Sequence, residues 1–245
     1  MDENKSPTPE EQQTSTFDSS VGEAAGKVEA QVDKLLNQAQ DAVKNVNVNE
    51  EFKATESFMK DYIKNPVDTI VNEVNTGKGS IVMSIVLVAI WMAVAAFPAF
   101  INQFRLFWQA RNLLRHVSFF SIFTVPFRAA LGPLLGVAAI SVIVFLFANV
   151  SKKSIADIVK LVVMSYIPSI VGSVIAVLSI TGVQSWRVIN PIAGFAGALS
   201  IILLFVTVKA LNKDETNGKA FFTFAKVYGI YLVVRFIVAF FSIHI

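Results

Sequence analysis

The pattern of apolar and polar positions divides the chain near residue 80. Beyond it, five apolar runs recur, at Ile81–Ile101, Ala129–Val150, Ile158–Ile180, Val188–Val208 and Phe221–Ile243. Each holds about 20 residues or slightly more, enough at roughly 1.5 Å per residue to cross a hydrocarbon core about 30 Å thick. Their interiors contain no acidic residue. Buried helices of a soluble protein would need further layers to cover them, and no residues remain to build those layers. The pattern therefore predicts an all-α fold, a polytopic membrane bundle of five transmembrane helices, behind a helical and disordered N-terminal cytosolic region.

That N-terminal region reads in two parts. Residues 1–50 are acidic, and the first twenty, rich in Ser, Thr, Pro and Glu with little to bury, are expected to be disordered. Val32, Leu36, Ala39, Val43 and Val46 then step by four and three, an amphipathic helix of about two heptads. Residues 51–79 form a helical lead-in to the membrane domain of residues 80–245. A helix over Glu51–Lys64 gives way to Asn65-Pro66-Val67-Asp68. Here Asn65 suits a cap, Pro66 the first helical position and Asp68 the positive helix end. A short helix with Val67, Ile70, Val71 and Val74 on one side then stops near Gly77, a cytoplasmic and partly interfacial approach to the first span.

The segment between the first two spans has its own period. Leu106, Ala110, Leu113, Val117 and Phe120 recur at helical spacing, with Arg105, Gln109, Asn112, Arg115 and His116 opposite. Such a basic amphipathic helix, near residues 104–123, suits the plane of the membrane interface, with Arg105, Arg111, Arg115 and Trp108 against anionic headgroups. The competing reading is a helix packed on the end of the bundle with its basic face solvated.

Composition sharpens the picture. Hydrophobic residues make up 54% and charged residues 16%, against roughly 25% charged in soluble domains. Residues 1–79 carry 8 Lys and 15 Asp or Glu, whereas residues 80–245 carry 13 Lys or Arg and 3 Asp or Glu. The basic balance thus belongs to the apolar half and does not signal nucleic acid. Cys is absent, and His116 and His244 are the only histidines, which removes thiol chemistry, Cys-type zinc sites and His-rich metal sites. No HExxH, paired intramembrane Asp, GxSxG or GxxxxGK[ST] occurs. The expectation is a protein that is not an enzyme and needs no cofactor. Met1–Ser20 lacks the basic start and apolar stretch of a signal peptide, so the first span should act as its own insertion signal. With five crossings, Lys60, Lys64, Lys78, Lys152, Lys153, Lys160, Lys209, Lys213 and Lys219 fall on the N-terminal side. This predicts a cytoplasmic N-terminus and an external C-terminus in a cell membrane, a bacterial cytoplasmic membrane.

Within the spans three features carry information. Small residues stand at contact spacing at Gly132 and Gly136, Gly172 and Ala176, and Ala193 and Gly197, which lets backbones approach. Pro168 lies at the middle of the third span and predicts a kink, with Ser165, Tyr166, Ser169 and Ser173 placed to satisfy freed carbonyls or to line a small polar cavity. Arg235 lies inside the fifth span, where it costs roughly 3 kcal/mol on insertion scales. Its candidate partners are Tyr166, carbonyls near Pro168 or a lipid phosphate. The alternative is that it snorkels to the external face.

FMKDYIKNPVDTI before the first span, LGPLLGVAAI opening the second and KKSIADIVKLVVMSYIPSIVGSVI through the third resemble the bacterial branch of the Yip (Ypt/Rab-interacting) family of five-span membrane proteins. The turn KALNKDETNGKAFF between the last two spans fits as well, so the resemblance covers roughly residues 58–243. It implies a five-helix domain with a cytosolic N-terminus; eukaryotic members of that family take part in membrane traffic, while its bacterial members are mostly of unknown role. Many related bacterial proteins begin with a cysteine zinc ribbon, which this chain lacks. The leading expectation is a non-enzymatic protein that organises or regulates a membrane or envelope process through membrane lipids and a protein partner or homo-oligomer. A small transporter or channel with a polar site near Tyr166, Pro168 and Arg235 competes with it, as does an immunity protein against a membrane-active peptide.

Overall fold

The computed structural model describes residues 33, 37, 48–77, 80–112, 119–148, 153–178, 186–213 and 215–243. The expected amphipathic helix of residues 28–46 lies outside them, save Asp33 and Asn37, which are helical. Every element among the described residues is a helix: α1 Val48–Lys64, α2 Pro66–Thr76, α3 Ile81–Asn112, α4 Ser121–Phe147, α5 Ile155–Ser165, α6 Ile167–Leu178, α7 Trp186–Leu211 and α8 Asn217–Ile243. Stretches of α3, α4, α7 and α8 are each long and apolar enough to cross a membrane, and α5 with α6 makes a fifth if the bent pair is one span. The protein is a multi-pass helical membrane bundle.

The third span is broken. α5 and α6 meet at Tyr166 with a bend of 48°. The break falls just before Pro168, which occupies the first turn of α6, where a missing N–H is tolerated. Antiparallel α7 runs alongside both halves. Ser165 meets Thr207, Ser169 meets Ser200, and Gly172 abuts Ala193 and Ala196, so the contacts move steadily back along one helix. Both halves therefore advance in the same direction, which is a bent crossing and not a re-entrant loop. At 1.5 Å per residue, with α6 tilted by the bend, the pair advances about 28 Å, close to a hydrocarbon thickness.

α5 is the central helix. Ile155, Ala156, Ile158 and every residue from Lys160 to Ser165 are buried. Ile158 and Val162 join Val137, Ile140 and Val144 of α4, Leu204 and Val208 of α7 and Val227 of α8 in one core. Leu161 and Met164 face a second core made with Tyr62, Ile70, Val74, Met83, Leu203 and Ala210. α3 and α8 are peripheral: 11% of each span window is buried within the chain, against 28% for α4 and 33% for α7. Their exposed Phe, Leu, Ile and Val side chains face outward, where lipid supplies the apolar surroundings.

Two segments differ from the sequence expectation. Residues 104–123 do not form one separate helix. α3 runs through Pro98 to Asn112 without interruption, since no Gly or Pro follows until α4 has begun. Phe119 and Phe120 form the turn into α4. The lead-in, too, is not confined to the surface. α1 and α2 pack into the bundle through Tyr62, Ile70 and Val74. The Asn65 cap is present, its side chain accepting from the Asp68 N–H, and Gly77 closes α2 at φ 60°. There a side chain would be strained.

Candidate functional site

The helix break is where chain segments distant in sequence converge. In a continuous helix the carbonyl of Met164 would accept from the N–H of residue 168, which proline lacks. The Tyr62 hydroxyl donates to that carbonyl instead, at 2.9 Å, from α1. Met164 lies about 14 Å along α5 from its first residue, so a lead-in side chain reaches the far end of α5. Burial pushes the Tyr62 pKa upward, which keeps the hydroxyl protonated as a donor. Phe58, one turn earlier, stacks on the Tyr62 ring.

A second tie joins the lead-in to α5, this time from α2 and nearer the α5 N-terminus. Ser154 and Asp157 form a reciprocal capping box: Ser154 Oγ accepts from the Asp157 N–H and the Asp157 carboxylate from the Ser154 N–H. One turn on, Lys160 is 7% exposed, with Nζ 3.0 Å from Asp157, 3.8 Å from Glu73 of α2 and 3.4 Å from the Gly77 carbonyl. Glu73 is similarly buried, at 8% exposure. Lys213, after α7, donates to Asn75 of α2. Lys160 is thus a buried tie to the lead-in, not a loop charge. The spacing of Asp157 and Lys160, and the S-x-x-D pattern before an apolar run, are local signals that a closer reading of the sequence would have found. The partnerships with Glu73 and Tyr62 leave no local signal.

The hydroxyls around the break satisfy one another. Ser165 Oγ donates to the Leu161 carbonyl and lies 2.8 Å from Thr207 Oγ1. Ser169 Oγ donates to Ser200 Oγ, which also accepts the Ser169 N–H, and Ser173 Oγ donates to the Ser169 carbonyl. None of these serines satisfies the Met164 carbonyl. Tyr166 packs its ring on Trp91, with centroids 5.5 Å apart. Arg235 is on the exposed side of α8, within electrostatic reach of Tyr166 and Tyr228. The structure thus groups Ser165 and Ser169 with α7, and Tyr166 with α3 and α8.

Of the small residues, Gly172 makes the closest approach: a Cβ there would stand 2.7 Å from Ala196 Cβ and 3.6 Å from Ala193 Cα. Ala176 is half-buried one turn further along α6. A Cβ at Gly136 would meet the Tyr231 hydroxyl at 3.5 Å, whereas Gly132 and Gly197 have open space. At the far end of the α3–α4 pair, Phe119 packs edge-on against Phe107 and Phe123. Around them Arg105, Phe104, Trp108, Phe120 and Phe123 are exposed. Arg111 falls in the last turn of α3, and Arg115 lies outside the described residues. Among the described residues no group of three His, Asp or Glu is placed to hold a metal ion.

No family model, curated protein or solved structure matches the chain.

Proposed function

We propose that this is a non-enzymatic membrane protein of Yip-like type, in which an acidic cytoplasmic head contacts protein partners and a lipid-facing bundle organises or regulates a membrane process. The observation that supports this reading is the double attachment of α1–α2 to the broken span, through Tyr62 on the Met164 carbonyl and Glu73 on Lys160. A partner bound to the head would pull on a rigid extension of the central helix, not on a free tether. The cluster of Arg105, Phe104, Trp108, Phe119 and Phe120 at the α3–α4 turn has the amphipathic chemistry of a membrane interface, which supports the lipid contact.

The transporter reading draws less support. A pathway past Tyr166, Pro168 and Arg235 would draw on the hydroxyls beside the break, whereas Ser165 and Ser169 are engaged with Thr207 and Ser200 in a helix interface. Co-purification of the full chain in mild detergent tests the proposal. A stoichiometric polypeptide partner is expected, and repeated recovery of the chain alone would overturn it.

A further inference from the structure

α8 carries a polar stripe in the apolar stretch that follows Lys226. Tyr228, Tyr231 and Arg235 fall at i, i+3 and i+7, which places them on one face of the helix. The rings of Tyr228 and Tyr231 lie 6.1 Å apart, and Phe224 stacks on Tyr228 at 5.8 Å. The stripe packs beside the first core, where Tyr166 of the helix break joins it. Tyr166 is within electrostatic reach of Tyr228, Tyr231 and Arg235. Three phenols and one guanidinium thus gather where α3, α4, the broken span and α8 meet.

Nothing in the described protein answers them. None of the three hydroxyls forms a hydrogen bond among the described residues, and Arg235 has no ion pair there. Asp157 is engaged by Ser154 and Lys160 at the other end of α5, and the spans hold no further acid. A guanidinium and several O–H donors in hydrocarbon call for an acceptor with negative charge. On the outward side the stripe is flanked by exposed Leu232, Val233, Phe236 and Ile237, a surface suited to acyl chains.

We propose that Tyr166, Tyr228, Tyr231 and Arg235 form a binding site for the oxyanion head, phosphate or carboxylate, of an anionic membrane amphiphile. Arg235 supplies the charge, the phenols donate hydrogen bonds, and the flanking apolar residues of α8 receive the chain. A lipid is favoured over a carboxylate from another protein because the site opens onto the apolar face of a peripheral helix in a strongly basic half of the chain. The inference rests on the bundle being membrane-embedded but not on partner recruitment, so failure of the co-purification experiment would leave it standing.

The test uses the full chain, delipidated in mild detergent and titrated with phosphatidylglycerol, oleate or phosphatidylcholine under native mass spectrometry. One phosphatidylglycerol or oleate per chain should bind at least about tenfold more tightly than phosphatidylcholine, the ratio expected of a charge-assisted hydrogen bond. The phosphatidylglycerol and oleate arms separate phosphate from carboxylate. Arg235→Leu should lose about tenfold in affinity. Tyr231→Phe and Tyr166→Phe keep the charge and the ring packing, and should each weaken binding severalfold while the melting temperature is held. Equal affinity for all three amphiphiles would overturn the proposal. So would a loss in Arg235→Leu with no change in either Phe variant, the behaviour of an arginine that merely reaches the headgroup layer. Crosslinking of position 235 to a stoichiometric polypeptide without bound lipid would overturn it as well.

Discussion

Replacing Tyr62 with Phe removes one oxygen and leaves the ring in place, so it isolates the bond to the Met164 carbonyl. That carbonyl is buried against residues of α1, α2 and α7, and its helical donor is missing because residue 168 is proline. A buried acceptor left without a partner costs about 1–3 kcal/mol. For a chain of this size each kcal/mol lowers the melting temperature by about 2–4 °C, so Tyr62→Phe should melt roughly 2–12 °C lower in mild detergent. Limited proteolysis should cut α1–α2 faster in the same variant. Pro168→Ala returns an N–H near the carbonyl, and in that background the Tyr62→Phe penalty should fall to less than half. Wild type should also lose stability as the pH rises past about 10, the ordinary tyrosine pKa. The reason is that the folded state holds the Tyr62 proton more tightly than the unfolded chain does, so stability is complete below that pH and is lost above it. Tyr62→Phe should lack this component of the alkaline loss. An unchanged melting temperature together with unchanged proteolysis, or strictly additive effects of the two substitutions, would refute the account.

Other substitutions probe the remaining contacts. Lys160→Met leaves Glu73 and Asp157 without their cation at a nearly closed site, and should destabilise the detergent-solubilised protein by about 3–5 kcal/mol, read by thermal unfolding. Gly172→Ala drives a Cβ into Ala196 at 2.7 Å and should cost about 1–3 kcal/mol, since neither helix has a flexible side chain there to yield. Gly132→Ala meets open space and should be neutral or stabilising by up to about 1 kcal/mol in the same assay. A reporter fused after Ile245 should be active on the external side; cytoplasmic activity would contradict a bent but complete third crossing.

How far the sequence discloses the fold depends on whether the signal is local. The spans are legible because twenty apolar residues in a row announce themselves without reference to anything else. The Asn65–Pro66 cap and the Gly77 stop are legible for the same reason, each depending on the conformational preferences of a few neighbouring residues. Pro168 locates the break to within two residues, but not what repairs it. Ser165, Tyr166, Ser169 and Ser173 lie close enough in sequence to invite that role, yet the repair comes from Tyr62, 102 residues away. Lys160 misleads in a similar way. Beside Lys152 and Lys153 it reads as loop charge counted for topology, and only the packing of α2 against α5 shows it buried. The tyrosine stripe on α8 was partly hidden because Tyr228 and Tyr231 are common side chains in an apolar span. Only the approach of Tyr166 from another helix sets them apart.

The break, its repair and the lead-in form one mechanical unit. α6 is held against α7 by the Gly172–Ala196 approach, which has no slack, and by the Ser169–Ser200 bond. α5 is held by the lead-in at two depths, Lys160 and Met164, about 6 Å apart along its axis. Between these anchors lies Tyr166, where the backbone leaves the helical path. A displacement of α1–α2 therefore acts on α5 through both ties and changes the bend at Tyr166, while α6 stays fixed to α7. Tyr166 is also the residue through which the break meets Trp91 and the α8 stripe, so a shift of α1–α2 would be felt at Arg235 without any movement of α8 itself.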